Sequence, residues 1–388
     1  MIKSFLKNVP LSLSGVIAGT MGFAMFIVSF IEHYAIKSTQ NIAFFLLHFN
    51  LFIVASCIII ASLYCFLLIT KYIIDKKQFI KDIKNPKTSG SVAIIFLSIC
   101  IILNAIAWII NHYVSDYSLR SNLLIFPSIL LLIVVCIQII FVFIFLKHII
   151  FKKETIYKEA YGSWFVVLIG LTISSGYSNN FGDHISLYFF QILWLMSFVF
   201  FIFVFPWVLY KFLFLGHKDD QDIPSMTIIA GPANILIVGF FTSFDPKRNS
   251  IIHNISEKLM FYDTLNLTVT PLNNESFFNT VSPFLIIMAA FSYILYFIIG
   301  LKVITLTKYS QFWAPLTFPG IVVASAIFKI NNYYFIENSY TYIVLTILML
   351  IIFTTASLIT LLVNVKHILL LNKLMKKIKM ETYAKKTK

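Results

Sequence analysis

The sequence predicts an all-helical integral membrane protein in which ten transmembrane helices form a single domain. Of its 388 residues, 59% are hydrophobic and only 12% are charged, whereas soluble domains carry about 25% charged residues. The apolar residues form ten long runs, each close to the ~20 residues that a helix needs to cross the hydrocarbon core. The runs do not alternate polar and apolar residues, which argues against a β-barrel.

The predicted transmembrane helices are numbered as spans 1 to 10 in chain order. They occupy residues 9–32, 42–70, 89–111, 122–147, 161–178, 185–214, 224–243, 282–306, 311–330 and 338–371. We predict one transmembrane domain over 1–378, with a long extracytoplasmic loop at 244–280 between spans 7 and 8. A basic cytoplasmic tail follows at 379–388. The first run has no cleavage site of small residues, so we interpret it as a retained span.

The basic residues predict which way the chain crosses the membrane. With the N-terminus in the cytoplasm, the cytoplasmic segments hold 24 basic and eight acidic residues, a net charge of +16. The outer segments hold six basic and eight acidic residues, a net charge of −2. Positive charge concentrates on the cytoplasmic side of membrane proteins. We therefore expect a multi-pass protein of the cell (plasma or inner) membrane with both termini cytoplasmic, attracted to anionic lipid and not to nucleic acid.

Small, hydroxyl and helix-disrupting residues concentrate in the odd-numbered spans. Span 1 places Ser12, Gly15, Gly19 and Gly22 along one helical face. Even spans are almost purely apolar, as in LYFFQILWLMSFVFFIFVF at 187–205. Small residues permit close helix packing and also suit the lining of a polar passage. Their recurrence predicts five helical hairpins, in each of which the odd helix faces inward and the even helix faces lipid.

Prolines follow the same pattern. Six of eleven lie in or at the entry of odd spans: Pro10, Pro86, Pro224, Pro232, Pro315 and Pro319. A proline in a helix interior costs roughly 3 kcal/mol or more, and the carbonyl it frees needs protein or water at membrane depth. In WAPLTFPG at 313–320, we expect the carbonyls freed by Pro315 and Pro319 to share one face. A wet passage, or Thr317 and neighbouring helices, would satisfy them.

The sequence shows no site for enzymatic or metal chemistry. It contains no His or Cys cluster and no phosphate-binding loop, so we predict neither enzyme, cofactor nor metal. Every acidic residue lies in a loop or at a span end, which leaves no buried carboxylate for proton coupling. We predict structural roles for several single residues. His48 and the four cysteines are expected to be buried. Lys329 is expected to extend its side chain to the outer interface. The cysteines are Cys57, Cys65, Cys100 and Cys136.

Five segments, one in each odd span, resemble the tellurite-resistance/dicarboxylate transporter (TDT) family, which includes bacterial TehA proteins and plant slow-type anion channels. The segments are VPLSLSGVIAGTMGF (9–23), NPKTSGSVAIIF (85–96), YGSWFVVLIGLTISS (161–175), IPSMTIIAGPANILIVGFF (223–241) and FWAPLTFPGIVVASAIFK (312–329). The resemblance implies five quasi-symmetric hairpins around a central pore, and a homotrimer with one pore in each subunit. It also implies that a phenylalanine of span 9 closes the pore.

The residue that matches this phenylalanine is Phe318. Further residues are expected to line the pore or to kink its helices: Pro10, Ser12, Gly15, Gly19, Ser91, Ser98, Ser163, Gly170, Ser174, Pro232, Asn234, Pro315, Thr317 and Pro319. Ser163 stands where relatives commonly carry a proline, which leaves open whether span 5 is kinked.

The expected function is the passage of small anions, either through a channel or by secondary transport. Inorganic anions, mono- or dicarboxylates and an oxyanion such as tellurite all suit a passage lined by small polar residues. Rotation of the Phe318 ring would open it. The alternative is a membrane assembly or sensor protein with a vestigial pore, whose long outer loop or basic tail binds a partner. A membrane enzyme ranks third, because the sequence lacks the chemistry of a site.

Overall fold

The computed structural model describes residues 1–35, 40–152, 160–182, 184–215, 223–247, 270–306 and 310–386. Within these ranges the chain is helical, without strands, as the sequence predicts. Nine helices of the described chain are long and apolar enough to cross a membrane. Most of the predicted loop at 244–280 lies outside the described residues, as do the last two residues of the tail.

Spans 1 to 4 and the even spans 6, 8 and 10 are continuous helices. Spans 1 to 4 are Leu13–Ala35, Gln40–Ile74, Ser89–Tyr113 and Tyr117–Phe145, and short helices Ile2–Lys7 and Lys76–Lys84 precede spans 1 and 3. A π-helical turn, Leu146–Ile150, follows span 4. Spans 6, 8 and 10 are Leu187–Leu215, Glu275–Leu306 and Tyr340–Lys386. Span 10 continues beyond its predicted end at 371 because no proline or glycine interrupts residues 340–386.

Spans 5, 7 and 9 are each interrupted, and no part of span 5 is among the nine helices that could cross a membrane. Span 5 consists of two short helices, Trp164–Ile169 and Thr172–Ser175, and a 3-10 turn at Ser178–Phe181. The prediction of one helix over 161–178 is therefore wrong: the break falls at Gly170, and Ser163 precedes the first short helix. Span 7 consists of Ile223–Met226, a 3-10 turn Thr227–Ala230 and the helix Gly231–Ser243. Span 9 consists of a 3-10 segment Gln311–Leu316 and the helix Thr317–Tyr334.

The breaks place the prolines at positions where they cost little helix stability. Pro232 and Pro319 lie in the first turns of the helices that begin at Gly231 and Thr317. The first four N–H groups of a helix have no partner within it, so a proline there removes no helical hydrogen bond. Pro315 lies in the 3-10 segment. The expectation of two prolines inside one continuous helix is thus corrected, since the α-helix begins only at Thr317.

The odd spans form a closed ring and the even spans lie outside it. Spans 1, 3, 5, 7 and 9 pack each against the next, span 9 packs back against span 1, and each even span packs against the odd span before it. In their most apolar windows, spans 1, 3, 7 and 9 have 61–83% of their residues buried. The even spans have only 22–39% buried. Spans 1, 3, 7 and 9 are therefore much more buried than the even spans.

The small-residue face of span 1 packs against the start of span 9. A Cβ atom built on Gly15 would lie 3.1 Å from the Ala314 backbone, and one on Gly22 would lie 3.1 Å from the Phe318 ring. On Gly19 it would lie 2.4 Å from the Thr317 hydroxyl oxygen. Because of this approach, the Thr317 hydroxyl lies 2.9 Å from the Gly15 carbonyl oxygen and 2.8 Å from that of Ala314.

Substitution of Gly19 by alanine is expected to lower the thermal stability of the protein in detergent. The added methyl group cannot fit against Thr317 unless spans 1 and 9 move apart, and overpacking of this kind costs about 1–3 kcal/mol. Gly300→Ala is the matched control, because a Cβ there meets nothing within 4 Å and alanine favours a helix by about 1 kcal/mol over glycine. Equal melting temperatures for the two variants would contradict the close packing of spans 1 and 9.

Candidate functional site

Two adjoining cavities lie inside the ring of odd spans. The larger, which we name the polar cavity, has a volume of about 200 Å³ and is lined by the C-terminal halves of spans 1, 3, 7 and 9 and by residues 172–180. The smaller, the narrow cavity, has a volume of about 30 Å³ and is lined from the N-terminal side of the same ring. Every described residue that lines either cavity comes from an odd span.

The narrow cavity is apolar and lies at the breaks in spans 5, 7 and 9. It is lined by six of the residues singled out from the sequence: Gly15, Gly170, Pro232, Pro315, Phe318 and Pro319. The helices that begin at Gly231 and Thr317 have their first turns at its wall. The aligned peptide dipoles of a helix give its N-terminal end a partial positive potential. The Gly231 N–H donates to the Ile228 carbonyl and Pro232 has no N–H, so the potential at this wall comes from the aligned dipoles. Among the described residues, no charged side chain lines the narrow cavity.

Phe318 and Ile235 are the residues that line both cavities. The half-buried Phe318 ring packs against Gly22 of span 1, while Ile235 approaches the boundary from span 7. The two side chains therefore form the boundary between the polar cavity and the narrow cavity. The sequence resemblance points to Phe318 for this position, whereas Ile235 carries no signal that separates it from other isoleucines.

Amides and hydroxyls give the polar cavity its character. Asn180 donates a hydrogen bond from Nδ2 to Oδ1 of Asn104 at 2.7 Å, which joins span 5 to span 3. Thr172 Oγ1 and Asn179 Oδ1 are buried and have no hydrogen-bond partner among the described residues. Buried polar atoms normally have a partner in protein or ordered water. The cavity exceeds the roughly 10–15 Å³ that one water requires, so water or a small solute can complete these bonds.

Two charged residues from span ends also line the polar cavity. Glu32 accepts a hydrogen bond from Trp108 Nε1 at 2.5 Å, and its Oε1 lies 2.7 Å from Nε2 of His112. Lys329 lines the same cavity from span 9. The prediction that the protein has no buried carboxylate is corrected by Asp82 and Asp245, which are buried; Glu32, in the cavity wall, is 26% exposed.

This ring-and-cavity geometry agrees with a family comparison. The family model described as voltage-dependent anion channel matches residues 8–368 of the chain. The chain belongs to the voltage-dependent anion channel family. This confirms the resemblance to the TDT family, which includes the plant slow-type anion channels, and it supports an anion channel or transporter rather than an assembly protein, a sensor or an enzyme. No curated protein matches the chain.

Several of the residues predicted from the sequence have other contacts in this anion-channel chain. Nine line neither of the two cavities: Pro10, Ser12, Gly19, Ser91, Ser98, Ser163, Ser174, Asn234 and Thr317. Gly19 and Thr317 hold spans 1 and 9 together, as described above. Ser98 and Asn234 donate hydrogen bonds to carbonyls of their own helices, those of Ile94 and Ala230. The Ser163 backbone packs where a Cβ of Gly90 would otherwise lie.

A polar stripe on span 10 ties this outer helix to the ring. Asn364 donates a hydrogen bond to Thr20 Oγ1 at 3.0 Å, and His367 Nε2 lies 3.0 Å from Ser12 Oγ. The hydroxyl of Thr360 lies 3.3 Å from the Thr317 carbonyl oxygen. The spacing of 360, 364 and 367 is the signal for this stripe, because residues three and four apart share a helical face.

The structure also corrects the predicted burial of one histidine and one cysteine. His48, predicted to be buried, is exposed on span 2 and bonds the Phe44 carbonyl of its own helix. His112 and His367, by contrast, are buried. Of the cysteines, Cys57, Cys65 and Cys100 are buried as predicted, but Cys136 is exposed.

Replacement of Asn364 by leucine is expected to destabilise the channel by about 0.5–1.5 kcal/mol, the net worth of an intramolecular hydrogen bond. Thermal denaturation of the single variants Asn364→Leu and Thr20→Val and of the double variant gives the coupling between the two side chains. Thr355→Val is the control, because the Thr355 hydroxyl bonds only carbonyls of its own helix. Strict additivity of Asn364→Leu and Thr20→Val would show that the two side chains do not interact.

Proposed function

We propose that this member of the family passes small anions through the ring of odd spans, and that the Phe318 ring closes the path. The observation that carries the proposal is the position of Phe318 in the wall of both cavities. An aromatic ring that separates two cavities blocks their connection in one orientation and opens it in another. Ile235 is the second, smaller part of the same constriction.

Anions, rather than cations, suit the potential at the constriction. The helices that begin at Gly231 and Thr317 direct their positive ends to the narrow cavity, and helix starts of this kind stabilise anions in transporters. Two helix starts supply this potential without a permanent charge. The proposed solutes are inorganic anions, mono- or dicarboxylates and oxyanions such as tellurite.

The proposal extends to orientation and assembly. Both termini are placed in the cytoplasm, since that orientation puts 24 of the 30 basic residues inside. The narrow cavity then lies towards the cytoplasm and the polar cavity towards the outside. Five quasi-symmetric hairpins form one pore per subunit, and three subunits form the homotrimer that the family resemblance implies.

Replacement of Phe318 by alanine is expected to raise anion flux severalfold, because the loss of the ring joins the two cavities. The measurement is flux into liposomes of purified protein, with chloride, nitrate, malate, sulfite and tellurite as separate substrates. Ile235→Ala should raise flux in the same direction by a smaller factor. The substrate whose flux rises with both variants identifies the class of solute.

Phe190→Ala is the control for this experiment. Phe190 is fully buried in span 6 and lines neither cavity, so its removal should lower stability without raising flux. Unchanged flux in Phe318→Ala, with the protein folded and inserted, would rule out the gate. Absence of flux for every anion in every variant would rule out the function.

A further inference from the structure

The contact between Glu32 and His112 involves a proton whose position the geometry restricts. His112 is buried, and its Nδ1 lies 2.9 Å from the backbone carbonyl oxygen of Trp108. A carbonyl oxygen only accepts hydrogen bonds, so Nδ1 carries a hydrogen. The other nitrogen, Nε2, lies 2.7 Å from Oε1 of Glu32. A hydrogen bond at this distance requires one proton between Nε2 and Oε1, whichever of the two atoms carries it.

That proton sets the charge of the pair. With the proton present, the pair is an imidazolium with a carboxylate, or a neutral imidazole with a carboxylic acid, and its net charge is zero. When the proton leaves Nε2 for water, the imidazole is neutral and the carboxylate remains, so the net charge is −1. Trp108 Nε1 still donates to Oε1 at 2.5 Å, and this bond keeps the carboxylate in the cavity wall.

Few other described side chains in the polar cavity could offset this change in the charge of the Glu32–His112 pair. Among the described residues, the other charged or titratable side chains that line the polar cavity are Lys329 on span 9 and Tyr177 in span 5. Tyr113, next to His112, donates its hydroxyl hydrogen to the Leu47 carbonyl and does not line the cavity. His33, next to Glu32, faces Glu337 at 3.8 Å and is not part of the cavity lining.

We propose that Glu32 and His112 form a proton-binding site in the anion path. With a proton bound, the pair is neutral and presents no net charge to an anion. Without it, the carboxylate adds a negative charge to the cavity wall, and anions enter less readily. Histidine is the side chain whose unperturbed charge change falls between pH 5 and 8, which sets the range of pH for the test. This inference rests on the proposed anion path.

Two substitutions should hold the Glu32–His112 site in opposite charge states, one neutral and one negative. Glu32→Gln removes the carboxylate, so flux should stay at the high, acidic level from pH 5.5 to 8.5. His112→Gln removes the group that neutralises Glu32, so flux should stay at the low, alkaline level. Wild-type flux in liposomes should fall severalfold over the same range of pH. The double variant Glu32→Gln/His112→Gln should behave like Glu32→Gln, which keeps the test decisive if His112→Gln does not fold.

His33→Gln is the matched control: it removes a histidine one residue from Glu32 but outside the cavity lining, so the pH dependence should persist. A second readout needs no transport. The Trp108 and His112 rings lie 4.6 Å apart, so protonation of His112 should quench Trp108 fluorescence in wild type and in His33→Gln but not in His112→Gln. Persistent pH dependence in Glu32→Gln would overturn the site. Flux without any pH dependence in wild type would overturn it while leaving the proposed function standing.

Discussion

The close approach of span 1 to span 9 is the contact on which the rest of the structure depends. The absence of side chains at Gly15 and Gly19 lets Thr317 come near enough for its hydroxyl to reach the Gly15 carbonyl. This fixes where the 3-10 segment of span 9 ends and its α-helix begins. Phe318 is the second residue of that helix, so the same contact places the ring between the two cavities. Span 10 reinforces it from outside through Thr360 and Asn364.

The breaks in spans 5, 7 and 9 obey the requirement that backbone groups at membrane depth have partners. A break exposes N–H and C=O groups that lipid cannot satisfy. The breaks converge on the narrow cavity, which Gly170, Gly231 and Pro315 line. Turn-type hydrogen bonds satisfy backbone groups at these breaks: Gly170 donates its N–H to the Val166 carbonyl and accepts from Ile173, and Gly231 donates its N–H to the Ile228 carbonyl. The prolines lie at the breaks and cost little helix stability there, because Pro232 and Pro319 occupy first-turn positions.

The sequence predicts the fold class and the inward face of the odd spans because lipid accepts only apolar helix faces, and small or polar residues must then face protein. It predicts less of the site. A glycine such as Gly170 is often tolerated inside a helix, so sequence alone does not show that span 5 breaks there. Glu32 is near the end of span 1 in the sequence, but only folding brings His112 from span 3 against it. Similarly, an apolar neighbourhood surrounds both His48 and His367, and only the direction of each helix face distinguishes the exposed residue from the buried one.

The two cavities differ in the groups that they present to a solute. Glu32 and Lys329 line the polar cavity, so its potential depends on charged side chains. In the part of the chain that the structure describes, the narrow cavity is lined by helix starts and apolar groups, without a charged side chain. An ion held by several full charges would leave slowly, and conduction requires binding weak enough for release. A constriction made of an aromatic ring, prolines and helix starts meets that requirement, because it offers a favourable potential without a strong ligand. In the proposed path, selection among anions at Phe318 would follow from size and the cost of dehydration, while the charge of the polar cavity would control how many anions reach it.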